Sequence, residues 1–340
     1  MMSDVFRIAS KFSMPRRIAG RIVVAASTLL LAGTALAQTP TMLVLRAVPA
    51  KSSKSSGATS ALPPLVKSDI TEIKIGGKAA EITGFDPLLK GPHTLQLMIL
   101  FDSMQTLGAQ GQFDDIKRFV GDLPSNVEVG IGWLLQSHVK VTQPPTKDRD
   151  AVYKAMVPQT REAAGNPKND NGNPFSCLRD LAAHWPDADP AKLRAVLMFT
   201  DGIIRSNAQQ QGADQDNPDV DGASQSLERA GIIPFPFYWL DPPPPIDPNR
   251  GEGGPLEGQQ NFSQLVRDTG GSALWEGMFA PGTPGPLLNR LEAILQSSAV
   301  VTVNAPGAPG KFQRLDIKTS RDDIKVSGPD SVMIGNVWKK

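Results

Sequence analysis

Two aspartates in this chain sit where a parallel sheet could use them. Asp102 follows the apolar run "LQLMILF", and Asp201 follows "LRAVLMFT". In doubly wound α/β sheets, ligands collect at the carboxyl ends of the strands. Between the two aspartates lies "NPFSCLRDL", a loop entering a helix, with Ser176 available as a helix cap or as an oxygen ligand. Two carboxylates and a hydroxyl converging on one crevice would suit a hard divalent cation. The stretch after Asp102 reads "DSMQT", and Met104 stands where a ligand oxygen would be useful. A thioether is a soft, poor ligand for magnesium.

Other groups of reactive residues are weaker. "NPDVDGASQSLE" places Asn217, Asp219, Asp221, Gly222 and Glu228 at the spacing of a calcium-binding EF-hand loop. Ser224 occupies a position usually apolar, and no helical pattern precedes the loop, so it reads as an acidic segment capping the following helix. Cys177 and His184 are seven residues apart, about two helical turns, too far for one to activate the other. Cys177 reads as a small buried residue. His93, His138 and His184 lack zinc-ligand spacing, and Trp133, Trp239 and Trp275 lie in strand-like runs and read as core.

The elements that must position these residues alternate. Strand runs at "LQLMILFD", "VEVGIGWLL", "LRAVLMFTDG" and "IIPFPFYWL" are separated by helical patterns such as "FDDIKRFVGDL", "SCLRDLAAHW", "GASQSLERAG" and "FSQLVRDTGG". Phe113, Ile116, Phe119 and Val120 fall on one helical face, and Pro234 and Pro236 place their strand near an edge. Such alternation predicts a doubly wound, mostly parallel α/β sheet with helices on both faces, spanning 93–298. Residues 65–92 hold a hairpin signal at Gly76-Gly77, and 299–340 return to strand patterns, so these flanks are expected to form a small accessory β region together. Residues 38–64 read as a linker holding one short strand, Thr41–Val48.

Residues 1–37 read as a secretory signal peptide, with Arg16, Arg17 and Arg21 before the apolar run Ile22–Ala37 and an Ala35-Leu36-Ala37 exit. The residues before Met14 look like an upstream extension. A secreted or periplasmic protein follows. Its single cysteine leaves no internal disulfide, so packing must carry stability. Net charge of +1 provides no basic surplus for nucleic acid. No run after the leader reaches the ~18 apolar residues of a membrane span.

The motifs together resemble the von Willebrand factor type A domain. "FTDG" with Asp201 matches that family's strand-end Thr-Asp-Gly, and "SCLRDLA" is similar to its "TPLYDAL", putting Ser176 in the threonine place. "DSMQT" resembles its Asp-x-Ser-x-Ser, with Asp102 matching, Met104 replacing the first serine and Thr106 standing for the second. The flanks "IKIGGKAAEITGF" and "GKFQRLDIKTSRDDIKV" resemble the secreted VWFA-related proteins of acidobacteria. The resemblance implies a metal-ion-dependent adhesion site in degenerate form, with Asp102, Thr106, Ser176 and Asp201 as ligands and Mg2+ as its cation. It implies a non-enzymatic module that binds a protein or other envelope macromolecule at the carboxyl edge of the sheet. The alternatives are a structural envelope module with neither metal nor regulated ligand, and a hydrolase using Ser176 or Cys177, for which no general base is evident.

Overall fold

The strand Leu95–Asp102 (β5) is buried along its whole length, and this follows from its sequence. It lies in the middle of a sheet covered on both faces, which accounts for a nearly continuous apolar run. Leu95, Leu97, Ile99 and Phe101 face one core, and Met98 and Leu100 face the other. The computed structural model describes residues 38–50, 63–103, 111–157, 172–187, 189, 191–204, 217–240, 253–277 and 280–336. The expected leader, Met104 and Thr106 lie outside the described residues.

In chain order the described elements are β1 (Gln38–Pro49), β2 (Ile70–Ile75), β3 (Lys78–Ala79), β4 (Glu81–Pro87), β5, α1 (Gly111–Asp122), β6 (Val127–Leu135), β7 (His138–Thr146), α2 (Arg149–Ala155), α3 (Pro174–Ala183) and β8 (Leu193–Thr200). They continue with α4 (Pro218–Ala230), β9 (Ile232–Tyr238), α5 (Gly253–Thr269), α6 (Gly285–Ser297), β10 (Ser298–Pro306), β11 (Phe312–Thr319), β12 (Ile324–Ser327) and β13 (Ser331–Met333).

The central sheet has the order β7-β6-β5-β8-β9. β5 pairs in parallel with β6 and β8, β8 with β9, and only β7 runs antiparallel. Side chains of α1, α2 and α6 pack on one face, and those of α3, α4 and α5 on the other. This is the doubly wound α/β fold expected from the alternating pattern. Phe113, Ile116, Phe119 and Val120 are buried as predicted for α1. β9 is an edge strand, so Pro234 and Pro236 cost no sheet partner. Their carbonyls instead accept from Ser272 (3.3 Å) and Leu274 (2.8 Å). The expected strand around Leu274 is reduced to that contact, an isolated bridge to Phe237. Among the described residues, no helix is long and apolar enough to cross a membrane.

The flanking segments form two antiparallel sheets, β12-β1-β10-β4 and β13-β11-β2-β3, which share one core of Leu43, Leu45, Ile73, Ile75, Val301 and Leu315. The hairpin at Gly76-Gly77 is present as β2–β3, and the chain then changes sheets into β4. Gln38–Pro49 departs from the expected linker with a short strand. It is a twelve-residue strand, internal to its sheet, paired with β10 on one side and β12 on the other. Its alternating buried residues find partners only near the far end of the chain, so a local reading underestimates it. The α/β lobe is thus an insertion between β4 and β10 of a β-sandwich. It leaves the sandwich through Leu88–Thr94 and re-enters where α6 runs directly into β10.

Candidate functional site at the carboxyl edge

A row of aromatic side chains crosses four strands just below the carboxyl edge. Phe101 stands opposite Trp133 and Phe199, and Phe199 opposite Phe237. Ring centroids are 5.2, 5.4 and 4.6 Å apart along the row. Each ring contributes large buried area and the row resists shear between strands. The next residues along the strands carry the polar groups. Asp102 caps β5, while Thr200 and Asp201 cap β8.

Asp102 and Asp201 are brought to the same edge, and both are buried, at 5% and 0% exposure. Thr200 Oγ1 donates to Asp102 Oδ2 at 2.6 Å. Asp201 Oδ1 accepts from the Ile203 backbone N–H at 3.0 Å, closing a tight turn. That turn needs Gly202, whose φ of +69° is left-handed. Helix α5 crosses so closely that a Cβ on Gly258 would collide with the carbonyl of Asp201. Tyr238 is fully buried beside this turn, and burial together with the Asp201 charge pushes its phenol well above the usual range, keeping it protonated.

Ser176 is not the cap of its helix. α3 begins two residues earlier, at Pro174, and Asn173 caps it through Oδ1, accepting from Phe175 N and Ser176 N at 3.0 Å each. Asn before Pro is a strong start signal, because the side-chain oxygen satisfies orphan N–H groups and proline fits the first helical position. Asn173 Nδ2 donates to Asp219 Oδ2 at 3.0 Å, and its backbone N–H donates to Gln136 O at 3.0 Å. It therefore joins the β6–β7 turn, α3 and α4.

The acidic segment resembling a calcium loop belongs to a helix. Asn217-Pro218 starts α4 by the same device, with Asn217 Oδ1 accepting from Asp219 N at 3.0 Å. Asp219 and Asp221 are in its first turn and Glu228 in its last, so they cannot wrap one cation. As first-turn carboxylates they complement the helix dipole. Asn217 lies in a buried amide network that sequence reasoning missed. Gln264 on α5 donates to Asn217 O (3.2 Å) and Asp221 Oδ1 (2.6 Å), and Asn261 donates to Gly202 O (2.9 Å). Asn217 Nδ2 reaches Asn261 Oδ1 at 3.4 Å. The turn bearing Asp201 is thereby tied to α4 and α5.

A cavity of about 10 Å³ opens at this edge, lined by Asp102, Gln136, Asn173, Pro174 and Cys177 among others. That is room for about one water molecule. Cys177 is 1% exposed, with Sγ 3.4 Å from His138 O, whereas His184 is exposed and bonded to Asp180 at 3.0 Å. The two are not brought together. His93 is buried 3.4 Å from Asp86, remote from the aspartates in the fold. Trp133 and Trp239 are core residues as expected, and Trp275 is partly buried.

Tested against magnesium, the described residues fit only in part. They supply two hard carboxylates, but the Asn173 oxygen is committed to its cap and Cys177 is soft. No group of three or more His, Cys, Asp or Glu residues that could hold a metal occurs among the described residues. Asp102, Asp201 and the α3 start gather at one edge, but Ser176 does not line the cavity beside Asp102, and Thr106 lies outside the described residues.

No protein-family model matches the chain, and no curated protein matches it. Solved structures give distant likenesses. The VWA domain of SpRpn10 aligns with a TM-score of 0.37 at 10% identity, covering 60% of this chain and 97% of that one. The pilus adhesin SpaC from Lactobacillus rhamnosus GG, in an open conformation, aligns with a TM-score of 0.37 at 9% identity. That alignment covers 84% of this chain and 45% of the adhesin, so this chain spans less than half of that protein.

Proposed function

We propose that this chain is a secreted or periplasmic, non-enzymatic binding module of von Willebrand A type, taking a protein or other envelope macromolecule at the carboxyl edge of its central sheet. The observation that carries the reading is the placement of Asp102 and Asp201 at the ends of adjacent central strands, amid loops anchored by Asn173, Asn217 and Asn261. Rigid elements holding several loops at one sheet edge suit recognition. Metal contributes weakly to this binding, because Met104 replaces a hard ligand and the cavity is small.

The test is capture from a cell-envelope extract of the producing organism by crosslinking, followed by titration of the purified partner. A partner that binds the native chain and binds the folded Asp102→Asn/Asp201→Asn variant at least tenfold more weakly supports the reading. Equal binding by both moves the site elsewhere. A second reading, a structural envelope module, is favoured by the burial of both carboxylates and by the Thr200 bond to Asp102. It predicts that no partner is sensitive to the double substitution.

A further inference from the structure

The second notable cavity lies at the opposite end of the sheet, in the seam between the β-sandwich and the α/β lobe. It has about 60 Å³ and is lined by Met42 and Val44 from β1, Glu228 from α4, Thr269 at the end of α5, and Ser331 and Asn336 from the C-terminal segment. Glu228 is half-buried there. Ser331 Oγ donates to its Oε1 at 3.3 Å, and Asn336 Nδ2 donates to its backbone carbonyl at 3.4 Å.

The charged groups around Glu228 come from α4, α5 and the approach to β13. α5 contributes Asp268, and the approach to β13 contributes Asp330, whose backbone N–H donates to Asp268 O at 3.3 Å. Arg267 bonds Asp268 at 3.1 Å and is 4.0 Å from Asp330. Arg229, on α4 itself, lies over the Phe312 ring at 5.4 Å. From β1 the cavity lining is apolar. Deeper in the seam, Arg46 donates to Gly270 O at 2.5 Å and is held down to about 10 by burial and by Arg290. The segment that closes the seam is tied to the sandwich by the three-residue β13–β11 pairing, by Met42 N–H donating to Asn336 O at 2.8 Å and by the buried Ile334, whereas Glu228 meets it through the Ser331 hydroxyl and the Asn336 amide.

We propose that this seam is a pH-dependent latch: with Glu228 protonated, residues 329–336 stay docked on α4 and α5, and with Glu228 ionised beside Asp268 and Asp330 they loosen. A neutral carboxyl sits comfortably in a half-buried pocket, whereas a charged one is poorly solvated and faces two like charges. Burial pushes Glu228 up to about 7 from an ordinary 4.5, with Asp268 and Asp330 adding to the rise against Ser331 and Arg229. Burial raises Asp268 as well. A carboxyl raised in the docked state binds more protons there than in the released state. Its contribution to docking is therefore complete below about 4.5, declines between about 4.5 and 7, and is absent above that.

Hydrogen exchange of the full chain, corrected for intrinsic rates, tests the latch. Between about pH 5.5 and about pH 8.5, protection of residues 329–336 should fall roughly tenfold or more relative to β5 and β8. In Glu228→Gln the protection should be the same at both pH values. Constant protection in the native chain, or an unchanged loss in Glu228→Gln, overturns the proposal. A carbon-13 titration of the Glu228 carboxyl in the native chain is independent of any variant. A midpoint near 7 supports the latch, and one near 4.5 removes it.

Discussion

Thr200 and Asp102 join two neighbouring strands through their side chains, the threonine hydroxyl donating to the carboxylate at 2.6 Å. The bond is short and buried, and losing the donor leaves a buried carboxyl oxygen without that partner, at a cost of about 1–3 kcal/mol. Thr200→Val keeps the shape of the side chain and removes the donor. It should destabilise the fold by roughly 1–3 kcal/mol in urea unfolding, with an unchanged m-value. A loss below about 0.5 kcal/mol would mean that water or another group replaces the hydroxyl at no net expense.

Asn173→Ala removes an N-cap that satisfies two backbone N–H groups and cuts the link to Asp219. The expected loss is about 1–2 kcal/mol, read as a lower denaturation midpoint. Asn173→Ser keeps a capping oxygen but not the donor to Asp219, so it should recover most of the cap and show what the link contributes.

Met104→Ser tests the weak-metal part of the functional proposal. If Met104 leaves Kd near ~10 mM, ~1 mM magnesium stabilises the native chain by under ~0.1 kcal/mol. A hydroxyl that tightens Kd tenfold to a hundredfold raises this to ~0.4–1.4 kcal/mol, a measurable rise in Tm. The rise should vanish in Met104→Ser/Asp201→Ala. A magnesium shift already present in the native chain would show that Met104 is no obstacle, and none in Met104→Ser would show that the groups do not converge.

Acid should weaken a separate cluster at the amino end of the sheet. Lys192 holds the Asp187 carboxyl down at about 2, with help from the Asp189 backbone N–H and Gln96. Its native value lies below the ordinary 3.8, so its contribution is present above about 4 and lost as pH falls toward about 2. Asp187→Asn should flatten that part of the stability profile measured by urea unfolding between about pH 5 and about pH 2.

Much of the α/β lobe was legible because its signals are local. The run from Leu95 to Phe101 declares a strand buried on both faces, and the charge that ends it marks the edge. The capping of α3 was also local, in Asn173-Pro174, yet Ser176 drew the reading because a hydroxyl there suited a cation. Asn217-Pro218 carried the same signal beneath an apparent calcium loop. The roles of Asn261 and Gln264 had no local signal at all. Their partners are more than forty residues away in sequence, and only folding supplies them. β1 was underread for the same reason.

The insertion of one lobe into the other also sets an order of events in time. Gln38 pairs with Pro306, and Thr39 bonds Gly307, 268 residues later. At ~5–20 residues per second, the first strand waits on the order of ten seconds to a minute before its partner exists. Through that interval an apolar strand stands open on both edges, the condition that invites wrong pairing between chains. The inserted lobe, whose strand contacts are much nearer in sequence, can fold first and hold the two ends of the gap close together. A chain cut short before β10 would never close the sandwich, so newly made protein should depend on chaperone protection until β10 has emerged.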